Sequence, residues 1–232
     1  MFYFDPMYLL FLVPGMALSF WASATVKSTF RKYSAVPAAS GMSGAEAAQQ
    51  LLRAKDIHNV SVEQTPGYLS DHYDPFKRVL RLSPDVYAGR SLAALGVAAH
   101  ETGHAIQHAT GYGPLKFRSV IVKPAMMGSN LGTIMCGLGL FMQSTGLIWA
   151  GIVLFSAFVL FTVITLPVEF NASSRAVTVL RDHRMITEQE VLGTSKVLRA
   201  AALTYVAAAI TAVLQLLYFM MRAGLLGGRR SD

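Results

Sequence analysis

Two histidines four positions apart, with a glutamate directly after the first, are the residues best placed to do chemistry: His100-Glu101-Thr102-Gly103-His104. On a helix the two imidazoles stand about 6 Å apart along the axis and on one face. At that offset they can converge on one tetrahedral zinc, at about 2.0–2.1 Å each. Glu101 lies about 100° round the wheel, too far to share the ion but within reach of a water beside it. Zinc brings such a water toward a pKa of about 7, and the carboxylate can take its proton for attack on a carbonyl. This is the logic of the H-E-x-x-H pattern. A pair of histidines on an amphipathic helix is the plainer alternative. Against it, three ionisable groups are an expensive way to build a mainly apolar helix.

The helix that must carry these residues has both its ends written in the sequence. Ser91 can cap its start and Gly111 can close it about five turns later. A catalytic zinc needs a third protein ligand and a fourth position left for water. His108 continues the i+4 series, but it lies about 12 Å along the axis from His100 and reads as a helix-end residue. Glu169 is the better candidate, being the first charge after 45 uncharged residues. A carboxylate at a bilayer boundary can also merely set helix depth. Topology favours the ligand reading, because two crossings after His104 return Glu169 to the histidines' side. Ala172, Ser173, Ser174 and Ala176 would let its helix come close to the motif helix, with Ser173 placed to orient a ligand. A donor for the developing oxyanion is also needed, and His183, Arg175, Tyr73 and His72 are candidates.

The elements that position this site are mostly apolar. The chain has 232 residues, enough for one domain of ordinary size, and is 53% hydrophobic but only 14% charged. Soluble globular chains carry about 25% charged residues, and the mean hydropathy here is +0.43. The net charge of +7 is spread over few charges and lacks the dense basic surface of a nucleic-acid binder, so no nucleic-acid partner is expected. The lone Cys136 excludes an intrachain disulfide framework and a cysteine-built zinc site. An integral membrane protein remains, with the lipid bilayer as one partner.

A crossing needs about 20 apolar residues. Four spans are expected, at 7–26, 124–142, 147–168 and 200–221, with Gln143-Ser144-Thr145-Gly146 turning between the second and third. Gly128 and Gly132 in the second span form a small-xxx-small pair suited to close helix packing. A cleaved signal peptide ending near Ala22-Ser23-Ala24 is the alternative for the first span, but its amino end carries Asp5 and no basic residue. Lys27, Arg31 and Lys32 after that span place residues 27–123 in the cytoplasm, and the basic residues of 169–199 agree. Arg222, Arg229 and Arg230 disagree, because four crossings would leave them outside.

Between the first two spans the texture changes to that of a soluble segment. Ser43-x-x-Glu46 is a capping box opening a helix through about Lys55. Val60–Glu63 suits a short strand, and residues 78–82 an edge strand able to pair with an extended substrate. Ser83-Pro84 marks another helix start, and Thr187-x-x-Glu190 caps the helix that runs into the last span.

The run His100-Glu-Thr-Gly-His-Ala-Ile-Gln107, together with Leu166-Pro-Val-Glu169-Phe-Asn-Ala-Ser-Ser-Arg175-Ala, resembles the YugP-type membrane neutral zinc metallopeptidases. Asp71-His-Tyr-Asp-Pro75 and Leu80-Arg-Leu-Ser83 fit the same pattern, so the resemblance spans nearly the whole chain. It implies a zinc-dependent membrane peptidase with His100, His104 and Glu169 as ligands and Glu101 as catalytic base. Such families are distantly similar to HtpX-like and CAAX-processing membrane proteases. Asn171 departs from the resemblance, which leads one to expect an aspartate orienting a ligand.

The expected fold is a mainly α integral membrane protein with about four transmembrane helices and a small α(+β) zincin-like catalytic domain. Its parts are an N-terminal transmembrane helix (1–26), a cytoplasmic catalytic segment (27–119), a transmembrane hairpin (120–168), a third-ligand helix and linker (169–199), and a C-terminal transmembrane helix and tail (200–232). The expected activity is hydrolysis of peptide bonds in a protein or peptide substrate, with Zn2+ as cofactor. An inactive membrane scaffold or assembly factor retaining a structural zinc is the alternative. A transporter is disfavoured, because His100 precedes the long apolar tract.

Overall fold

The computed structural model describes residues 6–225. Arg229 and Arg230, part of the tail whose sidedness the charges leave in conflict, lie outside the described residues, as does Asp5. The described residues form two compact units, one of residues 6–22, 117–166 and 204–225 and the other of 23–116 and 167–203.

In the first unit the elements are the beginning of α1 (Pro6–Ser34), most of α5 (Gly113–Phe141), the first part of α6 (Thr145–Asp182) and the end of α7 (Glu188–Arg222). Among the described residues α1, α6 and α7 are long and apolar enough to cross a membrane. α5 covers the expected second span, 124–142, but Pro124, Ser129, Asn130, Thr133 and several glycines dilute its apolarity. It packs closely on α6 through those glycines. A Cβ on Gly128 would stand 2.6 Å from the Leu154 carbonyl oxygen, and one on Gly132 would stand 2.8 Å from that of Gly151. Such approaches supply the van der Waals contact that drives helix association in lipid. Cys136 is fully buried in the same seam, as a packing residue. The turn falls where the polar residues indicate, between Phe141 and Thr145, with Gln143 at φ 52°. Thr211 of α7 donates its hydroxyl to the Gly15 carbonyl of α1 at 3.2 Å. An aromatic cluster of Tyr8, Phe155, Tyr218 and Phe219 packs in the same buried group as Cys136.

The second unit holds α2 (Gly44–Ala54), a three-stranded sheet, α3 (Pro84–Tyr87) and α4 (Leu92–Ala109), with the adjoining parts of α1, α6 and α7. α2 opens on the expected capping box: Glu46 N–H donates to Ser43 Oγ at 3.2 Å and Ser43 N–H donates to the Glu46 carboxylate at 2.7 Å. The strands are β1 (Ser61–Gln64), β2 (His72–Asp74) and β3 (Val79–Leu82), in the order β1-β3-β2. β1 runs parallel to β3 and β2 antiparallel. This corrects the edge assignment of 78–82, because β3 is the central strand. Its burial gives the reason: Leu80 and Leu82 are fully buried and Val79 is nearly so. The charge within this strand, Arg81, is accommodated by carboxylates on both neighbours. It reaches Glu63 of β1 at 3.8 Å and Asp74 of β2 at 3.5 Å.

α4 is the core of this unit. Leu92, Leu95, Ala99 and Ile106 pack with Leu51, Leu52, Leu180 and Leu198 in one buried cluster. Its two ends are those the sequence marks. Ala94 N–H donates to Ser91 Oγ at 3.2 Å. At the other end Gly111 takes φ 67°, with Gly111 N–H donating to His108 O at 3.1 Å and Tyr112 N–H to Gln107 O at 2.9 Å. That pair of bonds is a Schellman closure, and it needs a residue that tolerates the left-handed conformation.

Candidate metal centre

α4 presents His100 and His104 toward α6, and α6 presents Glu169 toward them. His100 Nε2 stands 3.2 Å and His104 Nε2 3.5 Å from the same oxygen, Oε2 of Glu169. One donor atom from each of the three residues lies within 4.8 Å of the other two, and all three residues are buried. His108 is not in this group. It lies in the last turn of α4, half-buried, with its Nδ1 2.8 Å from the Tyr73 hydroxyl.

The convergence depends on how near α4 and α6 approach. A Cβ on Gly103 would stand 2.7 Å from the Ala172 carbonyl oxygen, which is backbone and cannot swing aside. Gly103→Ala should therefore push the helices apart, costing about 1–3 kcal/mol, and weaken zinc uptake. Gly96→Ala is the control, because the nearest atom to its Cβ would be the Thr194 methyl, at 3.2 Å, with backbone no closer than 3.9 Å. Thermal unfolding and zinc titration of both variants check this. Equal behaviour of the two would show that the close approach at Gly103 does not hold the site together.

Each imidazole is held through its other nitrogen. Ser173 Oγ is 3.1 Å from His100 Nδ1, and Gln107 Oε1 is 3.0 Å from His104 Nδ1. Both arrangements turn Nε2 toward Glu169. Gln107, fully buried, donates its amide N–H groups to Val168 O at 2.9 Å and Asn171 Oδ1 at 3.0 Å. Asn171 Oδ1 also accepts from Arg175 Nε at 2.8 Å. Asn171 thus reaches His104 through Gln107, which moves the departure from aspartate one layer away from the donors. A role for Gln107 is not read from the sequence, although its i+3 spacing from His104 puts the two within reach on one helix face.

Glu101 is buried beside this cluster. Burial, reinforced by the nearby Glu169 and Asp71 carboxylates, raises its carboxyl to about 7, against the lowering effects of His100 and a hydrogen bond with the Tyr73 backbone. Tyr73 belongs to β2, so an edge of the sheet lies against this carboxyl. Asp71, just before β2, anchors that edge by accepting from Ser83 N–H at 2.7 Å and from the Ser83 hydroxyl.

Tyr73, Arg175 and His72, three of the four oxyanion candidates, are otherwise engaged. The Tyr73 hydroxyl meets His108, and the Arg175 guanidinium lies 6.0 Å over the Tyr112 ring while its Nε bonds Asn171. Exposed His72 faces Ser70 O and Arg81. His183 lies beyond the end of α6 and is not among the clustered donors.

A family model described as "Putative neutral zinc metallopeptidase" matches residues 8–224. The chain belongs to this zinc metallopeptidase family. It is also 47% identical over 215 residues to the Bacillus subtilis protein named "Putative membrane protease YugP", covering 93% of this chain and 96% of that one. No solved structure matches the chain.

Zinc is accordingly the cofactor of this neutral zinc metallopeptidase, and the donor set fits it. Ligand atoms about 2.0–2.1 Å from a tetrahedral zinc stand about 3.4 Å from one another. The 3.2 and 3.5 Å separations bracket that value. Two nitrogens and a carboxylate oxygen are also donors that zinc accepts readily. With α1, α6 and α7 apolar enough to span, the neutral zinc metallopeptidase is a membrane protein.

Proposed function

We propose that the protein is a membrane zinc metalloendopeptidase of the H-E-x-x-H type, in which His100, His104 and Glu169 hold the ion and Glu101 is the general base. The observation that carries this reading is the meeting of both histidine Nε2 atoms on one Glu169 oxygen, at 3.2 and 3.5 Å. Bound zinc supplies Lewis acidity, polarising the scissile carbonyl and acidifying a water. Glu101 accepts a proton from that water at its carboxylate and delivers it to the leaving amine. Burial raises this carboxyl in the metal-free chain, and a bound cation would bring it down again, leaving the carboxylate able to take the proton. Ser173 and Gln107 keep the imidazoles turned so that Nε2 faces Glu169. β2, as an edge strand beside Glu101, offers backbone groups along which an extended peptide can lie.

Three clustered donors among the described residues leave a coordination position for water or substrate, which favours an enzyme over a scaffold with a closed structural zinc. The basic residues Lys27, Arg31 and Lys32 after the first span support a cytoplasmic active site. In this reading residues 27–119 and 169–199 form the catalytic part, while 1–26, 120–168 and 200–232 anchor it.

The full chain, purified in detergent, should carry one equivalent of zinc and cleave casein. Chelation should abolish cleavage and readded zinc should restore it. A chain that holds zinc and cleaves neither casein nor shorter peptides would favour the scaffold.

A further inference from the structure

The hydrogen bonds around the Gln107 amide take their direction from two groups that can play only one role, the Val168 carbonyl and, through Asn171, Arg175 Nε. The Val168 carbonyl, 2.9 Å from Gln107 Nε2, can only accept. Arg175 Nε, 2.8 Å from Asn171 Oδ1, can only donate, so the Asn171 oxygen faces Arg175 and also receives the second Gln107 N–H, at 3.0 Å. With both N–H groups committed, Gln107 Oε1 is left facing His104 Nδ1 at 3.0 Å. An amide oxygen accepts and cannot donate, so Nδ1 must carry a proton, which leaves Nε2 as the nitrogen free to turn to an ion beside Glu169. Full burial of Gln107 removes water as a substitute partner.

We propose that Gln107 is a positioning residue that selects the His104 tautomer, held in its orientation by the Val168 carbonyl and by Asn171, which Arg175 orients in turn. The proposal rests on the reading of His104 as a metal ligand. It also gives Asn171 a function, since its amide oxygen serves as acceptor to both Gln107 and Arg175. His100 is held differently, by a Ser173 hydroxyl that can donate or accept. The direction imposed on His104 is therefore not imposed on His100.

The test uses the full chain in detergent micelles with zinc ion alone as the probe. Ring-nitrogen NMR of the metal-free wild type should show His104 protonated on Nδ1, the resonance being assigned by its loss in His104→Ala. In Gln107→Met, whose thioether is only a weak acceptor, the Nδ1 protonation of His104 should fall and a mixture of tautomers should appear. Competition with a chelating dye should then show zinc affinity about 10–100-fold lower. Asn171→Leu leaves Gln107 bonded to Val168 and should lose less than about tenfold. A His104 whose Nδ1 carries no proton in the wild type overturns the proposal, whether or not Gln107→Met folds. So does a Gln107→Met chain with unchanged tautomer and affinity. A wild type that takes up no zinc would instead overturn the metal-centre reading, while its metal-free spectrum would still decide the role of Gln107.

Discussion

Glu101→Gln should retain one equivalent of zinc and hydrolyse casein about 10²–10⁴ times more slowly than the wild type. The amide fills the same buried space but cannot take a proton, so the substitution separates holding the ion from activating the water. Loss of zinc together with activity would mean that Glu101 helps to bind the metal, and unchanged activity would remove it from the mechanism. The same variant has a second signature in the metal-free chain. Burial holds the Glu101 proton up to about 7, against an ordinary value of 4.5. The folded chain therefore keeps a proton that the unfolded chain has lost, and stability falls as pH rises between those two values. Glutamine carries no such proton. Wild type and variant should have closely similar pH-dependent behaviour below pH 4.5, while at pH 8 the variant should gain on the order of 2–3 kcal/mol relative to wild type. Unfolding midpoints across pH check this, and parallel curves would contradict it. Added zinc should narrow the gap, because a cation beside the carboxylate stabilises its charged form.

What was legible in the sequence was local, or became local once the membrane was recognised. Ser91 and Gly111 mark the ends of α4 because capping is decided within a few residues. Glu169 stands out because a lone charge closing a long apolar tract is improbable unless something uses it. Alternating faces along 78–82 read as an edge strand, but the same alternation occurs in a central strand whose charge is paired on both sides. Here the compensating carboxylates, Glu63 and Asp74, come from two other strands whose order no local pattern gives. Gln107 escaped notice for a similar reason: its partners Val168 and Asn171 lie more than 60 residues away, on another helix. The likeness of α5 to a span was marginal in the sequence and is marginal in the fold, since its glycines serve packing on α6 more than apolarity.

Glu169→Gln should lower zinc affinity by at least about 100-fold, with a corresponding loss of casein cleavage at limiting zinc. The side chain keeps its size, so the contact between α4 and α6 through Gly103 and Ala172 has no steric reason to change. What is lost is an anionic oxygen 3.2 and 3.5 Å from two imidazole nitrogens. A neutral amide oxygen is a much weaker zinc donor than a carboxylate, and two histidines alone hold the ion poorly. The opposite expectation follows if Glu169 only sets the depth of α6 at the bilayer boundary. A glutamine would then insert as readily or more so, and zinc binding would be untouched. Zinc titration of detergent-purified Glu169→Gln beside Glu101→Gln separates the two accounts. Adjacent carboxylates should fail in different ways, the first through loss of the ion and the second through loss of turnover with the ion in place. If Glu169→Gln binds zinc as tightly as the wild type, the third ligand lies elsewhere and the shared oxygen at Glu169 does not define the metal site.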